Sequence, residues 1–256
     1  FTVVNLDDPA GEYFVSMSRV PCYTYGRSGA CKAKKVTTTP KGTTFSLRTP
    51  WGKTDVAMKL IGRHNVSNAL CAASICGGLG ITVEEIAQGL ARFESVPGRF
   101  ERIEAGQDFA VVVDYAHTED GLRNVLQAAR RIVQGRVIVV FGCGGDRDKG
   151  KRPKMGAAAA ELSDFAIATS DNPRSEDPHR ILLDIEVGLQ RAGAQKNEDY
   201  LVIEDREEAI HCAMTMARKK DLVLIAGKGH EPYQLVGDRR IPFDDRQKAR
   251  EALEAL

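Results

Sequence analysis

A chain of 256 residues can hold one large domain or two ordinary ones, and its 43% hydrophobic content is that of a soluble globular protein. The net charge of +1 gives no global electrostatic case for nucleic acid or an anionic membrane, so local basic clusters must be sites or solvated faces. Six cysteines (Cys22, Cys31, Cys71, Cys76, Cys143, Cys212) without a CxxC spacing fit reduced thiols in a cytoplasm, and no apolar run reaches membrane-spanning length.

Residues 1 to 97 read as a first domain. Thr2 to Asn5 predicts a buried strand leading to Asp7-Asp8-Pro9. Phe1 already lies inside that strand, and a chain that opens mid-strand without Met is expected to be a portion of a longer one. Cys22 to Gly26 predicts another short strand. Lys34 to Lys59 alternates in the manner of a β-meander, with turns at Pro40-Lys41-Gly42 and Pro50-Trp51-Gly52. Gly52-Lys53-Thr54 echoes the end of a Walker A loop, but Leu47 occupies the required earlier glycine position, so the string reads as a hairpin turn. Gly62-Arg63-His64-Asn65-Val66-Ser67-Asn68 opens a helix that Gly77-Gly78 and Gly80 end. Thr82 with Glu85 makes a capping box for the next helix, whose apolar face is Ile86, Leu90 and Phe93. The ordinary reading of Asn65 and Asn68 is helix capping.

Val96-Pro97-Gly98-Arg99 marks the boundary to a second domain, residues 98 to 256. From Phe100 onward strands and helices alternate. Strands are predicted at Phe109–Asp114, Arg136–Phe141, Phe165–Thr169, Tyr200–Ile203 and Asp221–Ala226, and helices near 119–133, 153–162, 178–192, 206–219 and 245–255. Apolar strands alternating with helices imply an α/β fold, a mostly parallel Rossmann-like sheet covered on both faces. Thr118 is a helix cap, and Leu122, Val125, Leu126 and Ala129 are one buried stripe.

The densest chemistry lies between Gly142 and Arg174. The strand ending at Phe141 breaks into Gly142, Gly144 and Gly145, then Arg147, Lys149, Lys151 and Arg152, before Pro153 opens a helix. Strands that break into glycines before a helix are where α/β sheets put ligands, because glycine lets the backbone approach an anion closely. The next strand delivers Asp171-Asn172-Pro173-Arg174 to its own C-terminal end. Two loops at adjacent strand ends would face one crevice, and a pair of guanidinium forks, Arg147 and Arg174, suits carboxylates. The bland reading of the basic run is a solvated loop, more readily for Lys151 and Arg152 than for Arg147.

GGDRDKGKRP followed by DNPR, together with GRHNVSN, VPGRFE, DYAHTED and AGKGHEPYQ in this order, resembles the Mur ligases of peptidoglycan synthesis, specifically their MurE branch. The resemblance covers nearly all of this chain but not all of the family's length. It implies an ATP- and Mg²⁺-dependent ligase that joins meso-diaminopimelate to UDP-N-acetylmuramoyl-L-alanyl-D-glutamate through an acyl phosphate. It also implies a cytoplasmic monomer acting on small molecules, with no nucleic acid or membrane partner. It places Asn68, Arg99, Asp114 and His117 at ATP, with Arg99 on the phosphates and Asp114 on the ribose. It places Arg147, Asp171, Asn172, Pro173, Arg174, Gly227 and Glu231 at diaminopimelate, with Arg174 engaging the distal carboxylate that lysine lacks. A salt bridge is the bland alternative for Arg99. Lys228, His230 and His64 are left open, and His179 and His211 read as surface or packing residues.

The family's GTNGKT-type P-loop, its carbamylated lysine and its uridine-binding N-terminal domain have no counterpart in these residues. The 256 residues alone are therefore expected to be inactive, without a catalytic residue or metal ligand of their own. A non-catalytic Mur-like scaffold is the alternative, but such a scaffold has no use for a carboxylate clamp.

Overall fold

The computed structural model describes residues 1–39, 42–94 and 96–256, so the expected turn at Pro40-Lys41 lies outside the described residues. The chain divides into two compact units, Phe1–Ser95 and Val96–Leu256.

The first unit contains a two-stranded parallel sheet, β1 (Thr2–Asn5) and β2 (Cys22–Tyr25), joined through α1 (Gly11–Met17). Strand β1 is half-buried along its length rather than fully buried. The meander is β3 (Lys32–Thr39), β4 (Gly42–Thr49) and β5 (Gly52–Met58), all antiparallel. Helices α2 (Arg63–Gly78) and α3 (Val83–Arg92) follow. Alternate residues Phe45 and Leu47 of β4, and Val56 and Met58 of β5, meet Val66, Ala69, Leu70 and Ala73 of α2 and Ile86 of α3 in one core. Each of the Phe, Leu, Val, Met and Ile side chains among them contributes about 1.5–3 kcal/mol on burial. The Thr82–Glu85 capping box starts α3 as its sequence requires. Gly52-Lys53-Thr54 enters β5 from a tight turn, and the Trp51 ring in that turn packs against Gly77 so closely that any side chain there would collide with it.

The second unit is built on β6 (Glu101–Arg102), β7 (Ala110–Asp114), α4 (Glu119–Ile132), β8 (Val137–Phe141), α5 (Lys151–Leu162), β9 (Phe165–Ala168), α6 (Pro178–Arg191), β10 (Tyr200–Val202), α7 (Arg206–Met216) and β11 (Leu222–Ala226), followed by β12 (Tyr233–Val236), β13 (Arg239–Pro242) and α8 (Asp245–Glu254). The sheet order is β10-β9-β8-β11-β7-β6, parallel except for the edge strand β6. The chain walks β7, β8, β9, β10 in one direction with α4, α5 and α6 packed side by side, then returns to insert β11 between β8 and β7 with α7 on the opposite face. Reversing the walk reverses the face, which is what right-handed crossovers demand. Val111, Val113, Ile138, Val140, Ile167, Val223 and Ile225 point to α7 and α8, and the alternate residues Val112, Val139, Ala166 and Leu224 are buried beneath the other helices. Helices α5 and α6 touch backbone to backbone, since a side chain on Gly156 would strike the Ile185 carbonyl and one on Gly188 the Pro153 carbonyl.

Further local features differ from expectation, the short edge strand β6 among them. Helix α5 begins at Lys151, with Pro153 inside its first turn, where its missing N–H has no intrahelical partner to lose. Helix α1 and the antiparallel β12–β13 hairpin are additional. A Gly237-Asp238 loop joins the hairpin, with Gly237 at φ +57° as the first residue of a tight turn requires.

Arg206 at the start of α7 and Asp245 at the start of α8 form a fully buried two-point ion pair, with both nitrogen–oxygen distances 2.7 Å. Arg206 also donates to the Ala226 carbonyl at the end of β11. Replacing Asp245 by Ala strands that guanidinium, with an expected loss of about 3–5 kcal/mol of stability, whereas Arg206→Met/Asp245→Leu should recover most of it. Urea unfolding followed by circular dichroism measures both; a loss below about 1 kcal/mol in Asp245→Ala would show that the pair does not hold the two helices.

Candidate functional site

The C-terminal ends of β8 and β9 are paired at Phe141 and Ala168, and those of β7 and β11 at Asp114 and Ala226. Four loops therefore leave the same edge of the sheet. Glycines let them touch. A side chain on Gly142 would strike the Thr169 carbonyl, and one on Gly145 the Pro173 carbonyl, while the Gly145 N–H donates to the Asn172 carbonyl at 2.9 Å. Gly142 and Gly145 thus serve close packing of the 142–145 loop on the Asp171–Arg174 loop. Gly227 has φ +121°, and a Cβ on it would lie 2.6 Å from Asp171 Oδ2.

Those loops converge on a buried polar group. Lys228 is fully buried, and its Nζ lies 3.0 Å from Asn172 Oδ1, 3.5 Å from Glu231 Oε2 and 3.7 Å from Asp171 Oδ1. Asn172 Nδ2 donates to Glu231 Oε2 at 3.0 Å, and the Tyr115 hydroxyl donates to Glu231 Oε1 at 3.3 Å. Burial pushes the Lys228 ammonium below its ordinary value, with Asp171 opposing. Burial, then Glu231, pushes the Tyr115 phenol up. The β12–β13 hairpin closes one side. Leu235 N–H donates to Asn172 Oδ1, the Arg174 N–H donates to the Leu235 carbonyl, and the Gly237 N–H donates to the Arg174 carbonyl. Arg174 sits at φ +53°, and its Nη1 donates to the Gly145 carbonyl at 2.7 Å.

Arg147 is exposed and donates to the carbonyl of its neighbour Asp146. Among the described residues no hydrogen bond or ion pair joins it to the Asn172–Glu231 group. The basic run sorts opposite to expectation. Arg152 has only 1% of its side chain exposed and is clamped by Glu176 at 2.8 Å and Asp184 at 2.9 Å, so it is structural. Lys149 pairs with Glu176, and Lys151 donates to the His117 carbonyl.

On the other side of Tyr115, the Arg99 guanidinium stacks on its ring at 4.8 Å, and the His117 and His230 rings lie 4.8 and 5.3 Å from it. Asp114, expected at a ribose, accepts the Phe100 N–H on Oδ2 at 2.7 Å and the Ala116 N–H on Oδ1 at 2.8 Å, so it anchors the turn that carries Arg99. His117 Nδ1 contacts the Tyr115 carbonyl at 2.9 Å. In the first unit, exposed Asn68 donates to Asn65 Oδ1 at 3.3 Å, and buried Asn65 donates to the Ile61 carbonyl; Gly62, not either asparagine, is the cap of α2. Sequence reasoning did not single out Tyr115 or the hairpin. The Gly-Asp pair between Tyr233–Val236 and Arg239–Pro242 is the signal that reveals the latter.

A mostly parallel, doubly wound sheet with a buried polar group outside the carboxyl ends of its strands defines a Rossmann-like α/β domain, whose ligand sites fall at that edge where they occur. This chain belongs to the Mur ligase family: residues 98–229 match the Mur ligase glutamate ligase domain, and residues 1–76 match the Mur ligase middle domain. It is 47% identical over 99% of its length to a UDP-N-acetylmuramoyl-L-alanyl-D-glutamate--2,6-diaminopimelate ligase of Geobacillus thermodenitrificans, covering 51% of that protein. It is 48% identical over 99% of its length to the ligase of the same name from Syntrophomonas wolfei, covering 52% of it. A solved structure of a ligase of that name superposes with a TM-score of 0.69 at 35% identity, over 99% of this chain and 53% of that one. The chain spans about half the length of the curated relatives it matches.

Glu176 is held down at about 2, first by Arg152 and then by the Asp146 N–H. A carboxylate lowered in the folded state adds stability above its unfolded value, near 4.5, which is lost as pH falls toward 2. Glu176→Gln is expected to lower stability near neutrality by about 1–3 kcal/mol, since Arg152 keeps Asp184 alone. Urea midpoints of the two proteins should converge as pH drops below about 4.5. A gap that stays constant into that acid range would show that the ionised carboxylate contributes nothing.

Proposed function

We propose that this chain is part of an ATP-dependent ligase that joins an amine of meso-diaminopimelate to a carboxylate of UDP-N-acetylmuramoyl-L-alanyl-D-glutamate in the cytoplasm. The observation that carries the reading is the convergence of the Asp171–Arg174 loop and the Gly227–Glu231 loop on one polar group at the carboxyl edge of the sheet. The names of the relatives with 47% and 48% identity support it.

A carboxylate is a poor electrophile. ATP with Mg²⁺ would supply a phosphoryl group, ADP leaving, that turns it into an acyl phosphate; the free amine would then add to the acyl carbon, and inorganic phosphate would leave while the amine's proton passes to solvent as the amide forms. The residues of this chain bind and orient the amine donor. Glu231 and the carbonyls of the loop accept from an ammonium, and Arg174 and Arg147 take carboxylates at the rim. Asn172 is the amide that positions Glu231. Asp171 and Gly227 form the floor through their close contact, and Pro173 seats the loop on Gly145. Unpaired, the Arg174 fork would be a cost of binding lysine, which selects for the second carboxylate of diaminopimelate. Toward ATP we assign Arg99 to the phosphates, with His117 beside it and Asp114 holding its turn. No residue of this chain is assigned to Mg²⁺.

In the full-length protein Arg174→Ala is expected to cut kcat/KM for diaminopimelate by the equivalent of about 2–5 kcal/mol while leaving KM for ATP nearly unchanged. Steady-state kinetics with each substrate varied, beside thermal unfolding of the variant, measures this. Unchanged diaminopimelate kinetics would remove Arg174 from the site.

A further inference from the structure

We propose that Lys228 is a positioning residue of the amino-acid site, presetting the Asn172 amide and the Glu231 carboxylate before the amino acid arrives. The inference rests on the reading of the pocket as an amino-acid site and adds the residue on which its geometry turns.

An ammonium has three N–H donors and no acceptor. Lys228 Nζ has three oxygens around it from three residues, Asn172 Oδ1 at 3.0 Å, Glu231 Oε2 at 3.5 Å and Asp171 Oδ1 at 3.7 Å, and the side chain has no exposed surface. A surface lysine would pivot; this one is held by the strand end it follows and by the Tyr233 ring 5.8 Å away. Its contact with Asn172 decides which way that amide faces. Oδ1 receives two donors, Lys228 Nζ and the Leu235 N–H at 3.0 Å, so the amide nitrogen must point the other way, at Glu231 Oε2. A flipped amide would oppose two donors with a donor. Lys228 and Asn172 thereby fix Oε2, the Tyr115 hydroxyl fixes Oε1, and the carboxylate of Glu231 is left in one orientation with lone pairs free for an incoming ammonium. The charges agree. Asp171, Glu231 and Asp245 favour the Lys228 ammonium against its burial and against Arg206.

The test uses Lys228→Met and Lys228→Arg in the full-length protein, alone and combined with Asn172→Ala. Wild-type protein is first assayed with diaminopimelate and with lysine. If another amino acid is the one used, the proposed function falls, and Lys228 is then judged on that amino acid. Lys228→Met is expected to raise KM for the amino acid about 10- to 100-fold, the range set by losing a buried hydrogen-bond partner. KM for ATP and for the UDP-dipeptide should stay put, and Arg should restore part of the loss. Asn172→Ala should cost less in the Lys228→Met background than in wild type, because the two act as one unit. Equal rises in all three KM values, additive costs, or no change would overturn the proposal. Should the variants not fold, wild-type protein carrying ¹⁵N-lysine answers instead. Lys228 is the buried lysine among the described residues, so its ammonium should give a solvent-protected resonance that shifts when the amino acid is added. A protected resonance unmoved by saturating amino acid, or no protected resonance at all, would equally overturn it.

Discussion

Four charged side chains are enclosed behind the carboxyl edge of the second sheet, Arg206, Lys228, Asp171 and Asp245, with half-buried Glu231 at their margin. Isolated, any of them would pay a desolvation penalty of several kcal/mol. Together they pair cation with carboxylate: Arg206 with Asp245 of α8, and Lys228 with Asp171 of the loop after β9 and with Glu231 of its own loop. The arrangement is worth little as net stability, because well-packed apolar residues would do as well. What it supplies is position. Arg206 ties α7 to α8 and to the last carbonyl of β11; one residue beyond that carbonyl, Gly227 turns the chain so that Lys228 faces the loop after β9. The loops that carry the polar group of the site are thus tied to the strands and helices behind them, which in the proposed reading is the condition for recognising a small molecule with little rearrangement.

The periodic elements were legible because the parallel strands are continuous apolar runs and the helices carry stripes and caps. Two classes of feature were not. Helix α1 is a seven-residue segment without a side-chain cap, and Tyr13, Phe14 and Met17 are largely exposed, so no apolar stripe announces it. Strand β13 is exposed at every position, so Arg239 to Pro242 has no buried alternation to read. Arg152 shows how a small boundary error becomes a functional one. With the helix started at Pro153, Arg152 falls in a basic loop. With the start at Lys151, it shares a face with Met155, Gly156 and Ala159, at spacings of three, four and seven, and that face is buried.

The glycine-rich loop carries a similar lesson about inference from composition. Glycines after a strand are compatible with a phosphate cradle, and equally with two backbones in contact. Here the space beside Gly142 and Gly145 is taken by the carbonyls of the neighbouring loop. Carboxylate recognition, in the proposed reading, must come from side chains, Arg174 above all. The backbone of that residue is itself bonded on both sides to the β12–β13 hairpin. The hairpin that the sequence pattern hides is therefore part of the wall that aims the guanidinium.

The motifs at residues 98–100 and 227–231 are far apart in sequence but form one packed body. Gly98 is at φ +67° with the Gly229–His230 backbone pressed against it, and a side chain at either glycine would collide with the opposing backbone. Phe100, at φ +48°, is kept there by the Asp114 carboxylate. Between them stands Tyr115, with Arg99 stacked on its ring and its hydroxyl on Glu231. In the proposed reading Arg99 faces the nucleotide phosphates and Glu231 the amine, so the same tyrosine supports a group on each reactant. A ligase of this kind gains by having the amine and the phosphorylated carboxylate meet in one geometry, and holding both contacts on a single ring is a direct way for the fold to keep their spacing constant.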